Sequence, residues 1–491
     1  MSEILDVLIV GAGLSGIGAA CRLQRRCPGK RYAIVEARTV IGGTWDLFRY
    51  PGVRSDSDMY TLGYDFRPWN DAKAIGLGPD ILRYIRDTAA EEGITQRIQF
   101  GTRVRGASWS TRDACWTVEA ERTGEAGGLA GGRQQFRARF LYMCCGYYSY
   151  SQGHRPSFPG ESVYTGRILE PQFWPQDLDY AGKRVVVIGS GATAVTVVPA
   201  IAETAAHVTM LQRSPSYLVT RPSVDPLAQW LDRRLPKKAA YAVTRWKNVL
   251  LTMFLYQWAR RRPEQMKKRL IEMVRGDVGP DFDVDTHFTP RYNPWDQRMC
   301  LVPDGDFFCR IREGRSSVVT ADIECFTERG LKLKSGGELP ADIVVVATGL
   351  KLNVLGEVAI TIDGRPCDPG EAIAYKGVML SDVPNLVMTF GYTNASWTLK
   401  ADLTSAYVCR LLRYMDHRGL AIAVPRRDTS VMPLPFLTFT SGYIQRALGV
   451  LTKQGSKRPW KVYQNYISDL LSLRYGRIAD GVMHFSGDAR A

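Results

Sequence analysis

The sequence predicts an α/β fold that uses one device twice. Two parallel-sheet domains are expected, the second inserted in a split first and carrying a helical insertion of its own. Three observations predict this. A β-branched strand, a glycine-rich turn and a small-residue helix at residues 7–20 return 178 residues later, at 185–198. Two more apolar runs, at 140–146 and 342–349, also end on glycine. Between residues 221 and 291, helix-spaced apolar residues and many bases interrupt the second copy.

A chain of 491 residues is long enough for several domains at about 150 residues each. With 45% hydrophobic and 23% charged residues it has the composition of a globular enzyme. Ten cysteines with no CxxC pair give neither a disulfide framework nor a zinc site. The five histidines are too scattered for a protein-only metal site or a histidine-based hydrolase, so no metal is expected. The chain begins on an apolar strand behind an acidic turn, without a basic leader, which predicts a cytoplasmic protein. Residues 185–202 form the longest uncharged stretch and reach the lower limit for a membrane span. The Gly189-Ser-Gly-Ala-Thr turn and Pro199 within it favour a strand, turn and helix instead.

The first copy reads Val7-Leu-Ile-Val-Gly11-Ala-Gly13-Leu-Ser-Gly16, and the second Val185-Val-Val-Ile-Gly189-Ser190-Gly191-Ala-Thr193-Ala194. Gly11 and Gly189 permit the tight turn, and Gly13 and Gly191 let backbone approach a pyrophosphate. Gly16 and Ala194 let the helix pack closely on the strand. Each unit is thus Rossmann-like and dinucleotide-binding, with the pyrophosphate on free N–H groups at a helix start. The next strands separate the two sites. Tyr32-Ala-Ile-Val-Glu36 ends on a carboxylate able to accept from ribose hydroxyls. Val208-Thr-Met-Leu-Gln-Arg213-Ser214 ends instead on a guanidinium and a hydroxyl, suited to a 2′-phosphate. The first site should therefore hold FAD and the second NADPH, although a solvated surface charge is the other reading of Arg213. The glycine-ended strands place boundaries near 148 and 350. The expected domains are 1–148 for FAD, 149–350 for NADP with a helical insertion at about 221–291, and a return to the FAD domain over 351–491.

Gly42-Gly43-Thr44-Trp45-Asp-Leu-Phe-Arg-Tyr50-Pro51-Gly52-Val-Arg54-Ser-Asp56 satisfies every fixed position of the motif [A/G]GxWxxxx[F/Y]P[G/M]xxxD. On it the chain resembles the Baeyer–Villiger monooxygenases, class B flavoprotein monooxygenases. More narrowly, four segments resemble the ethionamide-activating subgroup: residues 49–63, 293–303, 391–402 and 458–466. The resemblance implies that NADPH reduces FAD, dioxygen adds at flavin C4a, and the peroxyflavin anion attacks a ketone to give an ester or lactone. Sulfides and thioamides are further substrates of this chemistry. It also implies that Arg298 is the active-site cation and Asp56 its acidic partner. Cofactor contacts are implied for Gly43, Thr44, Trp45, Asp56 and Tyr60, and for Ser190, Thr193 and Ser214. A salt bridge between domains is the plainer reading of Arg298, and a turn cap that of Asp56. Trp45, Trp397 and Trp460 fit either the flavin and nicotinamide wall or a domain interface. The family's shorter fingerprint, FxGxxxHxxxW[P/D], here reads Tyr164-x-Gly166-x-x-x-Glu170-x-x-x-Trp174-Pro175. Its histidine is implied to couple NADP binding to domain movement, so Glu170 bears on oxygen transfer and not on cofactor binding.

Other classes fall away. No CxxxxC follows the first loop, and neither a P-loop nor a GxSxG elbow is present, which excludes disulfide reductases, kinases and α/β-hydrolases. An S- or N-oxygenating flavin enzyme and a weakly coupled NADPH oxidase or redox sensor remain as alternatives. Residues 221–275 carry fourteen Lys/Arg against four Asp/Glu, so most of the net charge of +15 lies there. Its helical segments, 230–235, 241–259 and 264–275, are expected to pack an apolar stripe (Trp246, Leu250, Leu251, Phe254, Leu255 and Trp258) on the core. A surface approaching anionic membrane is the sharper reading. No recognised nucleic-acid module accompanies the charge.

Overall fold

The computed structural model describes residues 3–123 and 129–487. Strand Leu5–Val10 lies centrally in the first sheet, parallel to Tyr32–Val35 on one side and Leu129–Met143 on the other. Strands Thr102–Ser110 and Cys115–Thr123 extend this sheet as an antiparallel meander. Strand Leu386–Met388 returns from the C-terminal third and pairs in parallel with Leu129–Met143, Met388 opposite Met143. The first sheet is therefore completed by chain that comes after the second.

The second sheet has five parallel strands in the order Ser316–Thr320, His207–Gln212, Arg184–Ile188, Ile343–Val346 and Arg167–Leu169. Its two central strands read RVVVI and IVVV, the continuous apolar run expected where both faces are covered. Between the sheets, strand Tyr148–Gly153 leads out and Leu350–Leu352 leads back. They pair antiparallel, with Leu350 opposite Gly153 and Leu352 opposite Tyr148.

The insertion forms helices Pro226–Arg234, Lys237–Arg261 and Pro263–Val278. Its packing corrects the expected orientation. The long helix buries Ala240, Tyr241, Thr244, Arg245, Asn248, Val249 and Ala259, while Trp246, Leu250, Leu251 and Phe254 face outward. Only Leu255 and Trp258 of the expected stripe are partly buried, against Tyr217, Met266 and Leu270. The cause is a demand for donors. The short helix Met59–Leu62 ends with orphan carbonyls, and Arg245 donates to Tyr60 O at 2.7 Å and Gly63 O at 2.8 Å. It also donates to Asp402 Oδ2 at 3.2 Å, and Tyr241 OH donates to Tyr64 O at 3.0 Å. A buried polar group must be paired, so the polar face turns inward and the apolar face is left outside.

Candidate active site

Both glycine loops open on one cavity of about 1180 Å³. Helix Leu14–Arg26 starts at Gly13 and helix Ala192–Ile201 at Gly191, and neither start has a side-chain cap or an acid in its first turn. Gly13, Leu14 and Ser15 line the cavity, as do Gly191, Ala192 and Thr193. Two sets of helix-terminal N–H groups are thus available to phosphates, the arrangement anions favour. A Cβ on Gly191 would meet nothing within 4 Å. Gly16 does a different job, since a Cβ there would lie 1.9 Å from Gly11 O. It packs the helix on the strand and does not reach the cavity; Ala194, fully buried, likewise stays behind the wall.

Glu36 lines the cavity at the end of the second strand. Its carboxylate accepts from Ala12 N at 2.6 Å and Arg38 N at 2.8 Å. Burial pushes its pKa up, and those two N–H groups and the Arg38 guanidinium work against that. Gly43, Thr44, Trp45 and Asp56 from the long motif are in the wall, together with Ser190, Arg213 and Ser214 from the second unit. Ser190 Oγ donates to Ser214 O at 2.9 Å, which ties the second loop to the strand end carrying Arg213.

Tyr60 is not brought to the cavity. Its ring lies against Tyr241 at 5.8 Å, and it serves the insertion through its carbonyl. Trp460 is 1% exposed beside Tyr375 and belongs to the core. Trp397 does line the cavity; its Nε1 donates to Ser15 Oγ at 2.7 Å, and its ring stacks on Tyr147 at 5.1 Å.

Arg298 and Asp56, 242 residues apart, meet at 3.1 Å on the cavity wall. Burial opposes the charge on Arg298, but Tyr147, Asp56, Tyr443 and Tyr148 around it more than compensate and move its pKa upward. Burial in turn holds the Tyr443 phenol up at about 12 despite Arg298, so the ring beside the guanidinium stays protonated. The sequence reading missed this tyrosine group. Tyr147 and Tyr148 directly follow the glycine-ended run at 140–146, a signal that could have found them, but nothing local marks Tyr443. It missed Arg54 as well, which lines the cavity and pairs with Asp306 at the start of helix Asp306–Arg312. Glu170 lies away from the cavity, half-buried. Its Oε2 is 2.7 Å from the place a Cβ would take on Gly153 of the strand leading out of the first sheet.

Two nucleotide loops, one shared cavity and a fixed arginine define a flavin-dependent oxidoreductase. Family models agree: flavin-binding monooxygenase-like matches residues 71–252, and NAD(P)-binding Rossmann-like matches residues 9–71. The chain is 51% identical over 488 residues to the FAD-containing monooxygenase EthA of Mycolicibacterium smegmatis, covering 99% of this chain and 98% of that protein. It is 48% identical over 498 residues to MymA of Mycobacterium tuberculosis, covering 100% and 99%. The chain belongs to this family of FAD-containing monooxygenases, the class its motifs resemble. In fold it matches a steroid monooxygenase bound to NADP, with a TM-score of 0.76 at 22% identity over 99% of this chain and 100% of that one. A cyclohexanone monooxygenase holding ε-caprolactone matches with a TM-score of 0.73 at 19% identity, again over 99% and 100%.

Proposed function

We propose that the enzyme is a Baeyer–Villiger monooxygenase. A ketone, O2, NADPH and a proton become an ester or lactone, NADP+ and water, and sulfides and thioamides are oxidised at the same place. The Arg298–Asp56 pair in a cavity shared by both glycine loops carries this reading. Two fold relatives, one bound to NADP and one to a lactone, are consistent with it.

The residues fit both cofactors. Gly11, Gly13 and the first turn of helix Leu14–Arg26 would hold the FAD pyrophosphate, and Glu36 its ribose. Gly189 to Thr193 would hold the NADPH pyrophosphate, with Arg213 and Ser214 at the 2′-phosphate. Bound FAD, reduced by NADPH, supplies the activation of dioxygen. The protein supplies position and charge. Arg298 presents a cation that cannot lose its proton, where negative charge develops on the substrate carbonyl oxygen. Asp56 orients the guanidinium and tempers its charge. Tyr147, Tyr148 and Tyr443 line the same cavity as Arg298 and would form part of the wall around the reacting carbonyl.

Replacement of Arg298 by alanine should leave FAD content unchanged, since both glycine loops remain. Ketone oxygenation should fall by roughly 10²–10³-fold, the cost of one oxyanion donor. Mass spectrometry of products from a ketone and sulfide panel, with hydrogen peroxide measured per NADPH consumed, reads this out. Native ketone rates in Arg298→Ala would remove the assignment. Sulfoxide without ester would favour the S-oxygenating alternative, and peroxide alone the oxidase.

A further inference from the structure

We infer that the outer face of helix Lys237–Arg261 docks the enzyme on an anionic lipid bilayer. The inference is independent of which substrate the cavity takes.

The face is apolar where a helix of a globular enzyme is ordinarily polar. Val243, Trp246, Leu250, Leu251 and Phe254 are exposed along it, Phe254 to 64% and Leu250 to 50%. Between Lys238 and Arg260 the only charged residues are Arg245 and Lys247. Arg245 is turned into the protein, and Lys247 is ion-paired with Asp225. The apolar surface continues beyond the helix. Trp246 meets Tyr466 edge-on at 5.8 Å, and Ile467, Leu471 and Tyr475 are exposed in the segment that follows. Trp230, on the neighbouring helix Pro226–Arg234, is also exposed.

The charge around this face selects the occupant. Arg233, Arg234, Lys237 and Lys238 are exposed at one end, and Arg260, Arg261 and Arg262 at the other. Arg474 and Arg477 are exposed near Leu471 and Tyr475. Arg260 pairs with Asp296, and Asp232 and Glu264 are the exposed acids at the two ends, so bases predominate at both. A second copy seated on this helix would set basic end against basic end in either direction, which is unfavourable. Anionic headgroups match both features: Trp, Phe and Leu enter the acyl boundary while Lys and Arg stay at the headgroups. No helix among the described residues is long and apolar enough to cross a membrane, so the contact lies on the surface.

The same helix borders the cavity. Val249, on its inner side, packs with Tyr392 and Leu399, joined by Met253 and Ala395, and Tyr392 and Ala395 line the cavity. One helix diameter, about 10 Å, separates the lipid-facing residues from that wall. An apolar substrate dissolved in the bilayer would therefore be held beside the cavity.

The test uses the full FAD-loaded chain and vesicles of phosphatidylcholine with or without phosphatidylglycerol. Co-sedimentation is expected only with phosphatidylglycerol and should fall as salt is raised. The double variant Leu250→Glu, Phe254→Glu should keep native FAD content, thermal midpoint and turnover of a water-soluble ketone, because both side chains are exposed. Its vesicle partitioning should drop by at least about tenfold. Reversing Lys237 and Lys238 to glutamate should weaken binding to phosphatidylglycerol vesicles. Failure of the parent to bind at low salt, or equal binding by the double variant, overturns the inference. So does a dimer in light scattering that the double variant dissolves, since this would make the face a self-interface. Loss of ketone activity in Arg298→Ala has no bearing on these readouts, so each proposal fails separately.

Discussion

The strands before Gly11 and before Gly189 enter the same turn. Gly11 N donates to Val35 O at 2.8 Å, and Gly189 N to Leu211 O at 2.8 Å. A Cβ on Gly11 would lie 2.6 Å from Cys144 O, and one on Gly189 would lie 2.4 Å from Ala347 O. Both have positive φ, +106° and +136°, so glycine is required twice over. This register places Glu36 in correspondence with Gln212, and there the two sites diverge. The Glu36 carboxylate stays on the cavity wall. The Gln212 amide turns away, donating to His287 O at 2.7 Å and Thr320 Oγ1 at 3.0 Å. The next residue, Arg213, is then the charge that faces the second cofactor position. On the proposed assignment, nucleotide choice rests on Arg213, one residue past the strand end that corresponds to Glu36.

The largest effects should come from the turns themselves. Gly16→Val should prevent folding, because the added Cβ would sit 1.9 Å from Gly11 O; expression and circular dichroism would show it. Gly13→Val should fold, since a Cβ there makes only an ordinary contact, 3.5 Å from Gly43 Cα, yet it should purify without flavin. Gly191→Val should stay yellow and lose NADPH affinity. A yellow Gly13→Val protein or a colourless Gly191→Val protein would reverse the assignment of the two loops.

A smaller effect is expected at the residue that separates them. Arg213→Ala should raise KM for NADPH by about ten- to a hundredfold, the worth of a charged hydrogen-bonding pair of roughly 1.5–3 kcal/mol. KM for NADH should barely change. Equal losses for both nucleotides would show that discrimination lies elsewhere.

What the sequence made legible follows the range of the forces involved. The glycine loops and their strands are local, and the strand ending at Met143 and the one running Ile343–Val346 announced themselves as apolar runs leading to Gly146 and Gly349. The return of Leu386–Met388 to the first sheet was legible as a necessity, because a second unit had been inserted. The meeting of Arg298 with Asp56 came only through resemblance, since no periodicity links residues 242 apart. The insertion's helices were legible by spacing, but their orientation was not. Spacing identifies a stripe and says nothing about which face is buried. Here the Tyr60 and Gly63 carbonyls, more than 180 residues earlier in the chain, decided it by requiring Arg245. The resemblance implies a cofactor contact for Tyr60, whereas its ring lies against Tyr241 and its carbonyl accepts from Arg245.

The smallest expected effect concerns how the two sites work together. Strands Tyr148–Gly153 and Leu350–Leu352 link the sheets, and Glu170 leans on the first of them at Gly153. The Glu170 carboxylate is the nearest group to the Gly153 Cβ position, so a change at position 170 reaches the linking strands directly. Glu170→His exchanges an acceptor-only group for one that can also donate. FAD content and KM for NADPH should stay as they are, because position 170 lies outside the cavity wall. The ratio of oxygenated product to hydrogen peroxide per NADPH should rise, because that ratio depends on how the two units move and not on how each holds its nucleotide. Comparing Glu170→His with Glu170→Gln separates the ring from simple loss of the carboxylate. If Glu170→Gln raises the ratio equally, the carboxylate itself disfavours the productive arrangement. If neither variant moves the ratio, the contact at Gly153 is packing alone, and the coupling of the two sites must run through another pair, Arg54 and Asp306 being the next to replace.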